Sequence, residues 1–252
     1  MGMVGEIIAN NTRKPLWGYR ALVYSVCFVG FMSFIVWAHH MFLTGMGPTM
    51  GAFFQVTTMI ISVPSVIIVT ALLLSLYGGS IRFTVPGLFA LAFLPMFGLG
   101  GLTGLPLGLA ATDIPLHDTY YVIGHFHYLV APGTLFALFA GIYYWFPRVT
   151  GRRLNDLLGQ LHFWGSLIAM NGIFFPMFLQ GLAGMNRRLY DGGRSYQLFD
   201  SFGGSFTLQA WSAVLLGVVQ LFFIVNLFMS LRRGRVAGDN PWQSDSLEWK
   251  AS

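Results

Sequence analysis

The chain has 252 residues, of which 55% are hydrophobic and 9% charged, whereas a soluble globular domain carries about a quarter charged residues. That deficit excludes an ordinary water-facing exterior and makes lipid the solvent. The formal charge of +5 does not point to nucleic acid, because the bases gather at the ends of apolar runs rather than along one face.

Residues 1–17 are expected to form a cytoplasmic lead-in; they contain Arg13 and Lys14 and lack the apolar stretch and cleavage site of a signal peptide. Crossing a bilayer takes about 20 mostly apolar residues, and six stretches qualify: 18–44, 51–78, 84–110, 119–147, 158–182 and 205–231. A tail, 232–252, follows. The expected fold is an all-α integral membrane bundle of six transmembrane helices. It forms a single membrane domain over 1–252, since the Gly-, Pro-, Asp- and Arg-rich connections leave no room for a second one. An even number of spans puts both termini on one face. That face collects Arg13, Lys14, Arg20, Arg82, Arg148, Arg152, Arg153, Arg232, Arg233, Arg235 and Lys250, against Arg187, Arg188 and Arg194 opposite. Basic flanks stay on the cytoplasmic or matrix side, so both termini are expected there.

The first span holds Cys27 in an apolar run, read as plain core; one cysteine builds no disulfide framework or CxxC site. The same span ends with His39 and His40. Adjacent helix positions differ by about 100°, so both imidazoles can reach one metal only at a helix end or a distortion. Copper, zinc and iron all suit such nitrogens, and hydrogen-bonded core histidines are the alternative. In the third span, the glycines from Gly98 to Gly108 suit close helix approach in lipid.

His117 and Asp118 open the fourth span near Asp113. Such a pair can hold a hard cation such as Mg²⁺ with waters, and helix capping by Asp118 is the alternative. His125 and His127, in GHFHY, lie two residues and about 200° apart. They cannot easily share one metal, and read as two axial haem ligands on opposite sides of one helix or as two satisfied interhelical histidines. His162, on the basic face, reads as structural. Arg187 and Arg188 stand on the face depleted of positive charge and need an anionic partner, a role haem propionates would fill.

The strings FIVWAHHMF, GGLTG, LHDTYYV, GHFHY, WFP, FFP and GMNRRLYD, in this order and spacing, resemble the catalytic subunit of haem–copper oxidases, of the cytochrome c oxidase subunit I type. The resemblance runs from Met1 to about Arg233. It implies the second half of a twelve-helix fold, with His39 and His40 as two of three ligands of the copper (copper B). It assigns His125 to a high-spin haem, His127 to a low-spin haem, His117 and Asp118 to a magnesium ion, and Arg187 and Arg188 to haem propionates. The proline usual before that Arg pair is Asn186 here. Two haems, of type A, one copper and Mg are therefore expected, in a bacterial or mitochondrial inner membrane. The implied partners are the missing N-terminal half, a copper-carrying subunit II, subunit III and cytochrome c.

Two departures bear on function. The implied N-terminal half would supply the third copper ligand, the other low-spin ligand and a cross-linked tyrosine, so this chain alone is not expected to turn over. Ile68 stands where many members carry a proton-conducting lysine, with Ser65 at the neighbouring hydroxyl position and Thr70 the next polar group; proton pumping is left open. The leading expectation is a terminal oxidase reducing O₂ to water. A nitric oxide reductase on the same scaffold is the alternative, and a transporter bundle with pore-lining histidines is a remote third.

Overall fold

The computed structural model describes residues 1–193 and 195–250. It contains α1 (Gly2–Thr12), α2 (Tyr19–Val36) continued by a 3₁₀ stretch (Trp37–Thr44), α3 (Gly47–Leu76), α4 (Val85–Leu107) and α5 (Ala110–Leu116). After these come α6 (Tyr120–Val130), a π-helical turn (Ala131–Phe136), α7 (Ala137–Thr150), α8 (Asp156–Leu182), a 3₁₀ turn (Gln197–Phe202), α9 (Gly203–Arg233) and α10 (Leu247–Lys250). No β-strand occurs among the described residues.

Six helical segments are long and apolar enough to cross a membrane: 19–44, 47–76, 85–107, 120–150, 156–182 and 197–233. They coincide with the six expected spans to within a few residues, apart from the sixth, which a 3₁₀ turn lengthens at its start. Local chemistry sets their ends. Thr84 caps α4 by accepting from Gly87 N at 3.2 Å, Asn155 caps α8 by accepting from Leu158 N at 3.0 Å, and Pro48 sits in the first turn of α3. Gly45 (φ 80°) and Gly151 (φ 68°) end their helices in the left-handed region.

The core is aromatic. Phe89 of α4 lies 5.0–5.9 Å, centroid to centroid, from Phe136, Phe139, Tyr143, His162 and Phe163. Polar pairs join α8 to α9 at successive depths: Gln180 to Ser205 and Gln209, Gln220 to Ser166, and Asn226 to Asn155. Lipid does not compete for such hydrogen bonds, and small residues let the backbones approach. Gly165 faces Val219 and Gly172 faces Ser212 at distances no Cβ would allow.

Three details add to the expectation or depart from it. Within the lead-in, residues 2–12 are a helix packed into the bundle, with Val4 and Ile7 fully buried. Cys27 is exposed rather than core. Helix α2 gives the bundle only Leu22, Ser25, Met32 and Val36, and in lipid the outward side of a helix is as apolar as the inward side. The tail folds back over the bundle end, with Trp242 and Trp249 buried on Tyr144.

Candidate functional site: a histidine-lined cavity

A cavity of about 940 Å³ opens between the 3₁₀ end of α2, α3, α4 and α6, at the upper end of the range for small-molecule sites. His39, His40, Asp113, His117, Asp118, His125 and Arg187 all line it. His127 and Arg188 do not.

The 3₁₀ stretch explains how adjacent histidines converge. A 3₁₀ helix winds more tightly than an α-helix, and Met41 (φ −121°, ψ 16°) breaks the helical path just after the pair. The two Nε2 atoms come to 3.0 Å of each other, and Thr58 Oγ1 lies 3.2 Å from His39 Nδ1. Two nitrogens at this spacing, each about 2.0–2.1 Å from a metal, would subtend about 95° at it, which suits neighbouring coordination positions. Among the described residues no group of three or more His, Cys, Asp or Glu side chains could hold a metal ion.

His125 and His127 leave α6 in different directions. His125 Nδ1 lies 2.9 Å from Gly100 O. A carbonyl only accepts, so Nδ1 carries the proton and Nε2 keeps its lone pair. Thr103 Oγ1 is 3.3 Å from the same nitrogen. A Cβ on Gly104 would come within 2.7 Å of the ring, whereas one on Gly98 or Gly101 would meet nothing within 4 Å. The glycine face of α4 thus both seats the imidazole and leaves a flat open wall, which fits a planar macrocycle bound through Nε2. His127 donates from Nδ1 to Ile123 O at 2.9 Å and stacks on Phe174 of α8 at 4.3 Å and 16°. Its Nε2 likewise keeps its lone pair, and the ring lies outside the cavity lining.

At the cavity mouth, His117 and Asp118 turn to different partners. His117 Nδ1 lies 3.2 Å from Asp113 Oδ2. Asp113 is almost fully buried, which pushes its carboxyl pKa up, while the bond to His117 pulls it back down. Asp118 (φ 56°) forms an ion pair with the Arg187 guanidinium through its buried Oδ1. Arg187 Nε is buried without a partner and fits an anion such as a carboxylate on a ligand in the cavity. The segment after α8 is pinned here by Arg187 N to Asp118 O at 2.7 Å and Tyr120 N to Met185 O at 2.9 Å. Arg188 is exposed, and Arg194 lies outside the described residues. Capping of α6 falls to Thr119, which accepts from Tyr121 N at 3.3 Å, and not to Asp118.

His162 is fully buried away from this cavity. Gln220 Oε1, 3.2 Å from Nε2, can only accept, so Nδ1 accepts from the Tyr143 hydroxyl at 3.3 Å. Both nitrogens are satisfied, as a structural histidine requires. Ile68 is packed in the core, and Ser62, Ser65 and Thr70 of α3 reach the cavity wall. Sequence reasoning noted Asp113 only as a neighbour. Its i, i+4 relation to His117 across Pro115 was the available signal. Thr58, Gly100 and Phe174, which orient His39, His125 and His127, carry no local signature.

Residues 1–219 match the family described as Cytochrome C and Quinol oxidase polypeptide I. Cytochrome c oxidase subunit 1 of Synechocystis sp. is 43% identical over 252 residues, covering 100% of this chain and 44% of the relative. The alternative cytochrome c oxidase subunit 1 of Bradyrhizobium diazoefficiens is 42% identical over 249 residues, covering 99% and 42%. Quinol oxidase subunit 1 of Bacillus subtilis is 39% identical over 253 residues, covering 100% and 38%. Among solved structures, a heme-copper terminal oxidase dimer aligns with a TM-score of 0.72 at 22% identity over 88% of this chain and 43% of the other, a likeness of fold. The chain spans less than half the length of these relatives.

Proposed function

Because the chain belongs to the cytochrome c and quinol oxidase polypeptide I family, we propose that it carries part of the dioxygen-reducing centre of a respiratory terminal oxidase. The observation that carries this reading is the facing pair of Nε2 atoms, 3.0 Å apart, on the same cavity as His125. His39 and His40 would hold copper, with Thr58 fixing the His39 ring. His125 would hold a high-spin haem through Nε2, and His127 a low-spin haem on the other side of α6. These groups, when bound, supply electron transfer and the reduction of O₂ to water.

The remaining roles belong to the chain's own side chains. Gly100 O and Ile123 O hold the two haem-ligand histidines in the Nδ1–H tautomer, which keeps Nε2 basic toward a metal. Arg187 offers its unpaired Nε and its charge to a propionate, with Arg188 outside it. His117 and Asp118 would hold Mg²⁺. Asp113 Oδ2 holds His117 through Nδ1 beside that site. Ser62, Ser65 and Thr70 are the hydroxyls available for proton delivery along α3, in place of a side-chain amine at Ile68.

Completing the copper and low-spin haem ligand sets requires the chain equivalent to the rest of the relatives' length. A copper-carrying subunit II, subunit III and cytochrome c complete the assembly. The names of the cytochrome c oxidase relatives support that donor, although a quinol oxidase is nearly as similar. The same names favour O₂ over nitric oxide as substrate. The basic side chains on the face of the termini support a cytoplasmic or matrix location for both ends.

In the assembled complex, His125→Ala is expected to abolish the high-spin haem spectrum and O₂ consumption while leaving low-spin haem. His40→Ala should lower copper content with both haems retained. Spectra unchanged by His125→Ala would refute the ligand assignment, and consumption of NO in preference to O₂ would refute the oxidase reading.

A further inference from the structure

The face that carries the termini holds a second cluster of charge, outside the histidine-lined cavity. The loop between α3 and α4 runs alongside the end of α1, with Ser80 N bonded to Thr12 O at 3.1 Å and Arg82 N to Asn11 O at 3.0 Å. The fit is tight: a Cβ on Gly79 would lie 2.8 Å from Thr12 Cβ. This pairing brings together Arg13, Lys14 and Arg82. Arg82 Nη2 donates to Asn10 O at 2.9 Å and Asn10 Oδ1 at 3.0 Å, and Lys14 Nζ donates to Tyr77 O.

All the acceptors here are neutral oxygens. Among the described residues no carboxylate pairs with any of the three cations. The carboxyl end of α1 offers only about half a negative charge, far short of three positive ones. The repulsion is felt at Arg82, whose guanidinium pKa is pushed below its ordinary value by burial and then by Arg13. Its Nε is buried and without a partner. Arg13 is exposed and closes α1 with φ 57°.

The position supplies the missing anion. The spans on either side of the loop end at Leu76 and begin at Val85, and the first span begins at Tyr19, so the cluster sits at one bilayer surface. Trp17, Tyr19, Tyr77 and Phe83 surround it and are exposed, as aromatic side chains are at the headgroup level. Basic pockets at helix ends on this side of a membrane bind anionic headgroups. We infer that Arg13, Lys14 and Arg82 form a phosphate-binding site for the headgroup of an anionic phospholipid, with the exposed aromatic residues alongside its glycerol and upper acyl region.

The test uses the assembled, delipidated oxidase in mild detergent. Native mass spectrometry follows binding of phosphatidylglycerol, of phosphatidylcholine with the same acyl chains, and of inorganic phosphate. The wild type is expected to prefer phosphatidylglycerol. At about fivefold per cation near a surface, Arg13→Gln with Arg82→Gln should weaken that binding about thirtyfold. Arg13→Gln alone, which removes no hydrogen bond of the fold, should weaken it about fivefold. The control Arg232→Gln with Arg233→Gln should leave it unchanged. Competition by millimolar phosphate would support recognition of the phosphate group itself. Equal affinity for the two lipids, or phosphatidylglycerol binding unaffected by Arg13→Gln, overturns the proposal. Phosphate binding that depends on the cluster, without lipid preference, overturns the lipid as its source.

Discussion

Gly104 shows how little separates a neutral substitution from a damaging one at this site. Its missing side chain leaves room for the His125 ring, and a Cβ there would approach the ring to 2.7 Å. The ring cannot retreat without stretching its 2.9 Å bond to Gly100 O. Gly104→Ala is therefore expected to lower high-spin haem retention by about 10–100-fold, the usual cost of disturbing the groups that orient a metal ligand. The low-spin haem at His127 should be spared, because that ring rests on Phe174 and Ile123. Difference spectra of the reduced complex would separate the two, and an equal loss of both haems would refute it. The divergence of His125 and His127 was legible in their two-residue spacing, and the convergence of His39 and His40 in the need for a distorted helix end. Thr58 and Gly100 were not legible, because a hydroxyl or carbonyl from a distant helix becomes a partner only once α3 and α4 are packed.

Among the helices, the spans were the most readable elements, since bilayer thickness fixes their length and composition. Helix α1 was harder. With 11 residues it is too short to span, yet Val4, Ile7, Ile8 and Asn11 follow the i, i+3, i+4, i+7 pattern of one buried face. The polar joints between α8 and α9 were also invisible beforehand, as a lone Gln or Asn in an apolar run does not reveal which helix it faces. Asn226 is the most demanding joint. It accepts from Asn155 N at 2.8 Å and donates to Asn155 O at 2.9 Å, tying the cap of α8 to the end of α9. Asn226→Leu removes both bonds to Asn155 and takes the acceptor from the buried Ser230 hydroxyl, and an unsatisfied buried group costs about 1–3 kcal/mol. Gln209→Leu removes an amide pair at the other end of the seam, where such pairs average about 0.6 kcal/mol. Thermal unfolding in detergent should therefore rank Asn226→Leu well below Gln209→Leu; the reverse order would place the anchor of α9 at the other end.

Over the whole molecule the two ends are built for different work. The cavity end keeps open space, the unpaired Arg187 Nε and converging ring nitrogens between α2, α3, α4 and α6. The termini end is closed by packing. Tyr144 reaches Glu6 and Ser244 through its hydroxyl, each at 3.3 Å, while its backbone oxygen accepts from Trp242 Nε1 at 2.7 Å. One residue thus joins α1, α7 and the tail. Trp242 stacks on Tyr144 at 5.8 Å and carries Arg153 over its other side at 5.3 Å. Nothing in the composition of the tail announces this, because its two tryptophans are separated by polar residues and acquire a binding surface only after the spans assemble. If the tail holds this end together, Trp242→Ala should destabilise the bundle by about 3–5 kcal/mol, the cost of emptying a buried Trp site. The effect should be seen as a lower unfolding midpoint in detergent, with haem spectra unchanged in the folded complex. Trp242→Phe, which keeps the stack but loses the hydrogen bond to Tyr144 O, should cost less, about 0.5–1.5 kcal/mol for the bond and more if the carbonyl is left unpaired. Equal stability of Trp242→Ala and the wild type would mean that the tail only lies on the bundle, with α1 held by its own contacts to α4 and α7.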